Sequence, residues 1–323
     1  MTEQTQSMDI FLKEYEEKEQ VRSTFNRFGW ALVALLAVWY GFLFLTSFIV
    51  GVMEVTGIPA MDFYDRYVLI FNELGLVLGI VSAMLVMRSV PKHEIVQEPL
   101  GFKRFLKYIV VVMAIGMAGN LIGQVILAVW NGATGNEAGG EVDEILLGSD
   151  YLISFLMIGI VAPFLEEFLF RKLLIDHTRR YGELVCIVTS GVLFGLFHGN
   201  FTQFFYAFGL GSLFAYIYLK SGNFFVVFAS HAIFNVLSGI LPAIMMEKGS
   251  DLTFALYMLA YLAVVITGVV LLIIGAQGFK PKKGEISLSK KKMAEAVLVN
   301  PGMITAVLLM LALMILSLFT FTV

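Results

Sequence analysis

The sequence predicts an all-α membrane protein, a polytopic helix bundle of about nine transmembrane helices. Three observations lead there. Of the 323 residues, 59% are hydrophobic and only 15% charged, against about 45–50% apolar and about 25% charged in soluble domains. The apolar residues fall into nine runs, each near the ~20 residues that a bilayer crossing requires. The basic residues cluster on alternate connections between those runs, which is the signature of the positive-inside rule.

The runs are approximately 28–54, 67–87, 106–130, 150–175, 184–199, 202–219, 223–245, 253–278 and 299–322. Residues 1–27 set Glu14, Glu16, Glu17 and Glu19 among Lys13, Lys18, Arg22 and Arg27. They read as a solvated cytosolic segment able to form a helix. They do not read as a signal peptide, since the first apolar run is too long for an h-region. Residues 28–149 then hold three flanking helices, 150–245 the functional core in helices four to seven, and 246–323 two C-terminal helices. The fifth and sixth runs are short and are joined by a tight turn at Gly199-Asn200.

With the N-terminus in the cytosol and nine crossings, all but Arg66 and Lys248 of the 22 Lys and Arg lie inside, and the C-terminus lies outside. The expected location is a bacterial plasma membrane. Gly-rich 132–148 carries Glu137, Glu141, Asp143 and Glu144 with no basic residue, and reads as an external loop. The single cysteine, Cys186, excludes an internal disulfide and any cysteine-based zinc cluster; it reads as a small buried hydrophobe. The chain shows no nucleotide-binding glycine loop and no internal repeat, and nucleic acid is not an expected partner.

The chemistry centres on Pro163-Phe-Leu-Glu166-Glu167-Phe-Leu-Phe-Arg171. Charges are costly in lipid, so ionisable residues inside a span point to function. Glu167 and Arg171 are four apart and share a helix face in the favourable acid-first order. Glu166 lies roughly 140° from Arg171 on the helical wheel. The spacing divides the labour: Arg171 holds Glu167, and Glu166 points elsewhere. The alternative is a helix end at which all three charges snorkel into headgroups.

Two further runs carry polar groups. The fifth ends Phe194-Gly-Leu-Phe-His198, and the seventh contains His231-Ala-Ile-Phe-Asn235. Each pair is four apart and shares a face. At 1.5 Å per residue, Glu166, His231, Asn235 and His198 lie on the order of 12–22 Å above the cytosolic helix ends, so the four side chains can meet within the bilayer. A carboxylate and an imidazole beside one water make a general base and a proton shuttle. A second imidazole and an amide can bind an oxyanion. A zinc reading uses the same atoms, with Glu166, His198 and His231 as ligands and one open position. No His-Glu-x-x-His and no Gly-x-Ser-x-Gly motif occurs. Asn120 and Gln124, four apart in the third run, read as interhelical glue, with lining of the same cavity as the alternative. Asn72 and Glu73 read as interfacial residues near the outer end of the second.

Glu-Glu-x-x-x-Arg at 166–171, Phe-x-x-x-His at 194–198 and His-x-x-x-Asn at 231–235, in this order on successive helices, resemble the CAAX protease and bacteriocin-processing (CPBP) family. That family includes the type II CAAX prenyl endopeptidase and proteins formerly grouped under abortive infection. The resemblance covers about residues 150–240. It implies that Glu166 activates water with His198 sharing the proton, that Glu167 and Arg171 shape the site, and that His231 and Asn235 form the oxyanion hole. It implies a metal-independent glutamate protease acting on a hydrophobic or lipidated peptide among membrane lipids, with no cofactor; zinc is the alternative. Two other classes compete: a non-catalytic membrane partner or immunity factor of the same fold, and a proton-coupled transporter, which predicts inverted repeats. The basic cluster Arg171, Lys172, Arg179 and Arg180 leads us to expect substrate access from the cytosolic side.

Overall fold

The computed structural model describes residues 3–93, 95–135, 138–139 and 150–319. These residues are helical apart from short connections and a single antiparallel bridge between Gly182 and Lys283. We number the helices α1 (Glu3–Val55), α2 (Met61–Met87), α3 (Phe102–Thr134), α4 (Tyr151–Tyr181), α5 (Glu183–Phe197), α6 (Phe201–Ser221), α7 (Phe224–Lys248), α8 (Asp251–Ala276), α9 (Lys290–Leu298) and α10 (Pro301–Leu316). Polar caps start several of them. Asp150, Asn200, Asn223, Ser250 and Asn300 each accept a backbone N–H of the first turn, satisfying donors that have no partner inside the helix.

Seven helices, α1 to α4, α7, α8 and α10, are long and apolar enough to cross a membrane. α5 has 15 residues and α6 has 21. This pair sits at the centre of the bundle and packs backbone to backbone. A Cβ on Gly191, Gly195 or Gly211 would collide with Ser212, Phe204 or Phe194 respectively. Small residues at such crossings are what let helices approach closely in lipid. The buried side chains form two clusters. One joins α1, α2, α4, α5 and α10, and the other α3, α5, α6 and α7.

The first helix is longer than its apolar run. Its 53 residues extend ~80 Å at 1.5 Å per residue, against the ~30 Å of a hydrocarbon core. The charged segment before residue 28 therefore continues the helix beyond the bilayer. There α9 clasps it, with Lys18 Nζ 2.9 Å from Glu295 and Lys292 Nζ 2.6 Å from Glu14.

The basic connections meet at one end of the bundle. Arg27 donates to Ser89 at 2.5 Å, the His93 N–H to the Asp176 carbonyl at 2.7 Å, and the Glu98 N–H to the Ser221 carbonyl at 2.9 Å. Glu183 receives Lys220 at 2.7 Å and the Lys282 N–H at 2.7 Å. The ring closes through α9 and α1. The acidic residues Glu137, Glu141, Asp143 and Glu144, assigned above to an external loop, lie outside the described residues.

Candidate active site

Two prolines shape the helices that carry the site. In α4 the segment Met157–Val161 is π-helical, and the Ala162 N–H reaches back five residues to the Met157 carbonyl. The next residue, Pro163, has no N–H. The Ile158 carbonyl therefore has no helical donor, and Asn235 Nδ2 supplies one at 2.9 Å. α7 repeats the arrangement. Val236–Ile240 is π-helical, the Leu241 N–H bonds to the Val236 carbonyl, and Pro242 follows. The stranded Leu237 carbonyl is met by the Tyr257 hydroxyl. A buried carbonyl without a partner is costly in lipid, so each proline recruits a polar side chain from a neighbouring helix. π-turns of this kind re-aim side chains and are frequent at functional sites.

Glu166 and Glu167 occupy the short α-helical stretch between this π-turn and a second one at Phe168–Ile175. Glu167 and Arg171 are both 0% exposed. Arg171 Nε lies 2.6 Å from Glu167 Oε2 and Nη2 lies 3.3 Å from Oε1. The remaining guanidinium donors go to Ser190 Oγ and, at 3.3 Å, to the Gly211 carbonyl. The guanidinium carbon stands 5.7 Å from the Phe194 ring centre and 5.9 Å from that of Phe214. The expected pairing is present, and the snorkelling alternative is excluded. A helix end at the headgroups would leave Arg171 wet, whereas it is walled in by α5 and α6.

The second Glu167 contact joins α4 to α7. His231 Nδ1 lies 3.0 Å from Glu167 Oε1. A carboxylate here accepts, so Nδ1 carries the proton, and Nε2 is the nitrogen left for chemistry. Nε2 lies 3.8 Å from Glu166 Oε2. That oxygen is buried and makes no hydrogen bond to the described residues. His231 thus stands between the two glutamates, tied to one and facing the other. His198 is fixed in a parallel way. Its Nδ1 donates to the Phe194 carbonyl at 2.8 Å, again leaving Nε2. The Phe194 ring lies between the two imidazoles, with centroids 4.9 Å from His198 and 5.7 Å from His231.

Glu166, Phe194, His198, His231 and Asn235 line one cavity of about 800 Å³. The structure brings these five together, with Glu167 and Arg171 packed behind His231. Among the described residues, no three His, Cys, Asp or Glu side chains are grouped to hold one ion, and His198 is not within 4.0 Å of any carboxylate.

Three expectations are corrected. For Asn120 and Gln124 the cavity alternative holds and the glue reading does not: both are exposed on the cavity wall, where α3 faces open space. Glu73 is not interfacial. α2 starts at Met61, earlier than its apolar run, so Glu73 lies about 18 Å into the helix. It is 6% exposed and lines the same cavity. The cavity does not lead to the basic end. From Glu166 its lining runs to Asn200–Gln203, Phe254, Met258 and Leu318, at the opposite end. The way to the basic end is filled by buried Leu169, Phe170, Arg171, Leu173, Leu174 and Ile175. Arg171, Lys172, Arg179 and Arg180 do not line the cavity.

Sequence reasoning named Glu166, Phe194, His198, His231 and Asn235 as site residues and set Glu73 apart from them. The signal that would have found it is general: a carboxylate within a span is a site candidate by default.

Neither a curated protein nor a solved structure matches the chain. Residues 148–237 match the sequence model of a family described as type II CAAX prenyl endopeptidase Rce1-like. That stretch runs from the start of α4 into α7 and contains Glu166, Glu167, Arg171, Phe194, His198, His231 and Asn235. With seven membrane-length helices around it, this core of the chain is similar to the type II CAAX prenyl endopeptidase Rce1-like family of membrane proteases.

Proposed function

We propose that the chain is an intramembrane endopeptidase that cleaves a peptide bond close to a lipid or hydrophobic anchor by direct attack of water. One observation carries this reading: the buried Glu166 Oε2, without a hydrogen bond to the described residues, faces His231 Nε2 across 3.8 Å at the floor of a cavity large enough for a peptide segment. A gap of that length is bridged by one water better than by a direct bond. Glu166 takes the water's proton, and His198 Nε2 shares it. The hydroxide attacks the carbonyl carbon. Protonated His231, its Nδ1–H held by Glu167, donates from Nε2 to the oxyanion, and Asn235 offers the amide N–H that Ile158 does not use. The charges balance in pairs, Arg171 with Glu167 and His231 with Glu166, which limits the cost of burying them.

The lining suits an apolar anchor with a polar strand. Trp39, Phe197, Phe201, Phe234, Tyr257 and Met258 supply apolar wall, while Asn120 and Gln124 offer amides to a peptide backbone. The test is peptidase activity of the purified protein in lipid discs against a library of peptides with and without a lipid anchor. Cleavage of anchored peptides by wild type and not by Glu166→Gln is the expected result. Cleavage by both, or by neither, would refute the assignment.

A further inference from the structure

Glu73 is a second carboxyl in this cavity. Its Oε1 accepts from Asn72 Nδ2 at 3.1 Å, and Asn72 is in turn held by Trp39 Nε1 at 3.2 Å. Its Oε2 is buried with no hydrogen bond to the described residues, just as Glu166 Oε2 is. α2 packs along α4, and Glu73 is near enough to Glu166 for the two to interact electrostatically. Among the described residues no Lys, Arg or His lies within ion-pair distance of Glu73. A carboxylate so placed has neither cation nor solvent to hold its charge, whereas the acid has one O–H to place. The Asn72–Trp39 chain orients the carboxyl without supplying a counter-charge.

Amide hydrolysis needs two acid–base roles. One group removes a proton from water, and another protonates the departing nitrogen. Glu166 fills the first. His198 is a poor store for the second proton. Its Nδ1–H is committed to Phe194, and no carboxylate is within 4.0 Å to balance an imidazolium. His231 is the oxyanion donor. Resting on the peptidase reading, we infer that Glu73 is the general acid of the site, the carboxyl whose proton goes to the leaving amine. In balance, water adds its oxygen to the carbonyl carbon and its proton to Glu166. The C–N bond breaks, and the nitrogen takes the Glu73 proton. Transfer of the Glu166 proton to Glu73 through the cavity restores both groups, so the net change is amide plus water to acid plus amine.

The test uses the full chain in lipid discs, with Glu73→Gln and Glu73→Asp. Each is assayed on an anchored peptide and on the same peptide with a thioester at the scissile bond. A thiolate leaves without protonation; an amine does not. Glu73→Gln is expected to lose amide cleavage by about 10²–10⁴-fold while keeping most thioester hydrolysis, and Glu73→Asp to recover part of the amide rate. An unchanged amide rate overturns the inference. So does an equal loss on both substrates, which is what a structural role would produce. If wild type cleaves neither substrate, the peptidase reading fails. The infrared carboxylic-acid band then decides the assignment separately. A band lost in Glu73→Gln supports a proton resident on Glu73, and identical spectra overturn it.

Discussion

Asn235 Nδ2 donates to the Ile158 carbonyl at 2.9 Å, and it does so because Pro163 cannot. This bond pins α7 to the π-turn that aims Glu166. Asn235 therefore has a structural duty beside its proposed role at the oxyanion.

Asn235→Ala should leave a buried carbonyl without a donor, costing about 1–3 kcal/mol. Thermal unfolding in detergent is expected to shift down as activity is lost. Loss of activity at unchanged stability would mean that the Ile158 bond is not structural. Pro163→Ala is the complementary change, because it returns an N–H to the helix. We expect the stretch to relax toward regular α-helix, turning Glu166 away from His231, so that activity falls without loss of stability. Full activity in Pro163→Ala would show that the proline does not set the aim.

The two adjacent glutamates should separate cleanly. Glu166→Gln removes the base but no hydrogen bond to the described residues, so turnover should vanish with the melting temperature unchanged. Glu167→Gln leaves Arg171 fully buried beside a neutral amide and frees His231. Removing one partner of a buried pair costs about 3–5 kcal/mol, so this variant should be markedly less stable as well as inactive. Equal stabilities would contradict the division.

The mouth of the cavity lies at the end away from the basic connections. In a Cys186→Ala background, cysteines at Asn120 and Gln124 should react with an impermeant thiol reagent added outside the cell. Reaction only from the cytosolic side would reverse the orientation or the direction of access.

The nine-helix alternation predicts opposite locations for reporters fused after Lys292 and after Val323. The same location for both would remove α10 as a crossing.

Direct water activation predicts no inhibition by chelators and less than one zinc per active chain. Reversible loss restored by zinc would make Glu166 and the histidines ligands.

The sequence by itself determined the class of the protein, the order of its helices and most of the polar set. Those features are local. Apolar run length reports a span, and 3.6-residue periodicity alone puts Arg171 under Glu167 and Asn235 beneath His231. Only the tertiary structure decided what each polar group touches. Periodicity paired His231 with Asn235, yet His231 is bound to Glu167, 64 residues away, and Asn235 gives its amide to Ile158. The three π-helical segments change the rotation of α4 and α7 by an amount that a regular helical wheel does not contain. Glu73 and the direction of the cavity escaped for a different reason. In a chain apolar on every face, hydropathy does not distinguish a helix surface against lipid from one against a neighbour or a cavity. That distinction arises when the helices choose their partners, and here the choice left Glu73, Asn120 and Gln124 facing the same space as Glu166.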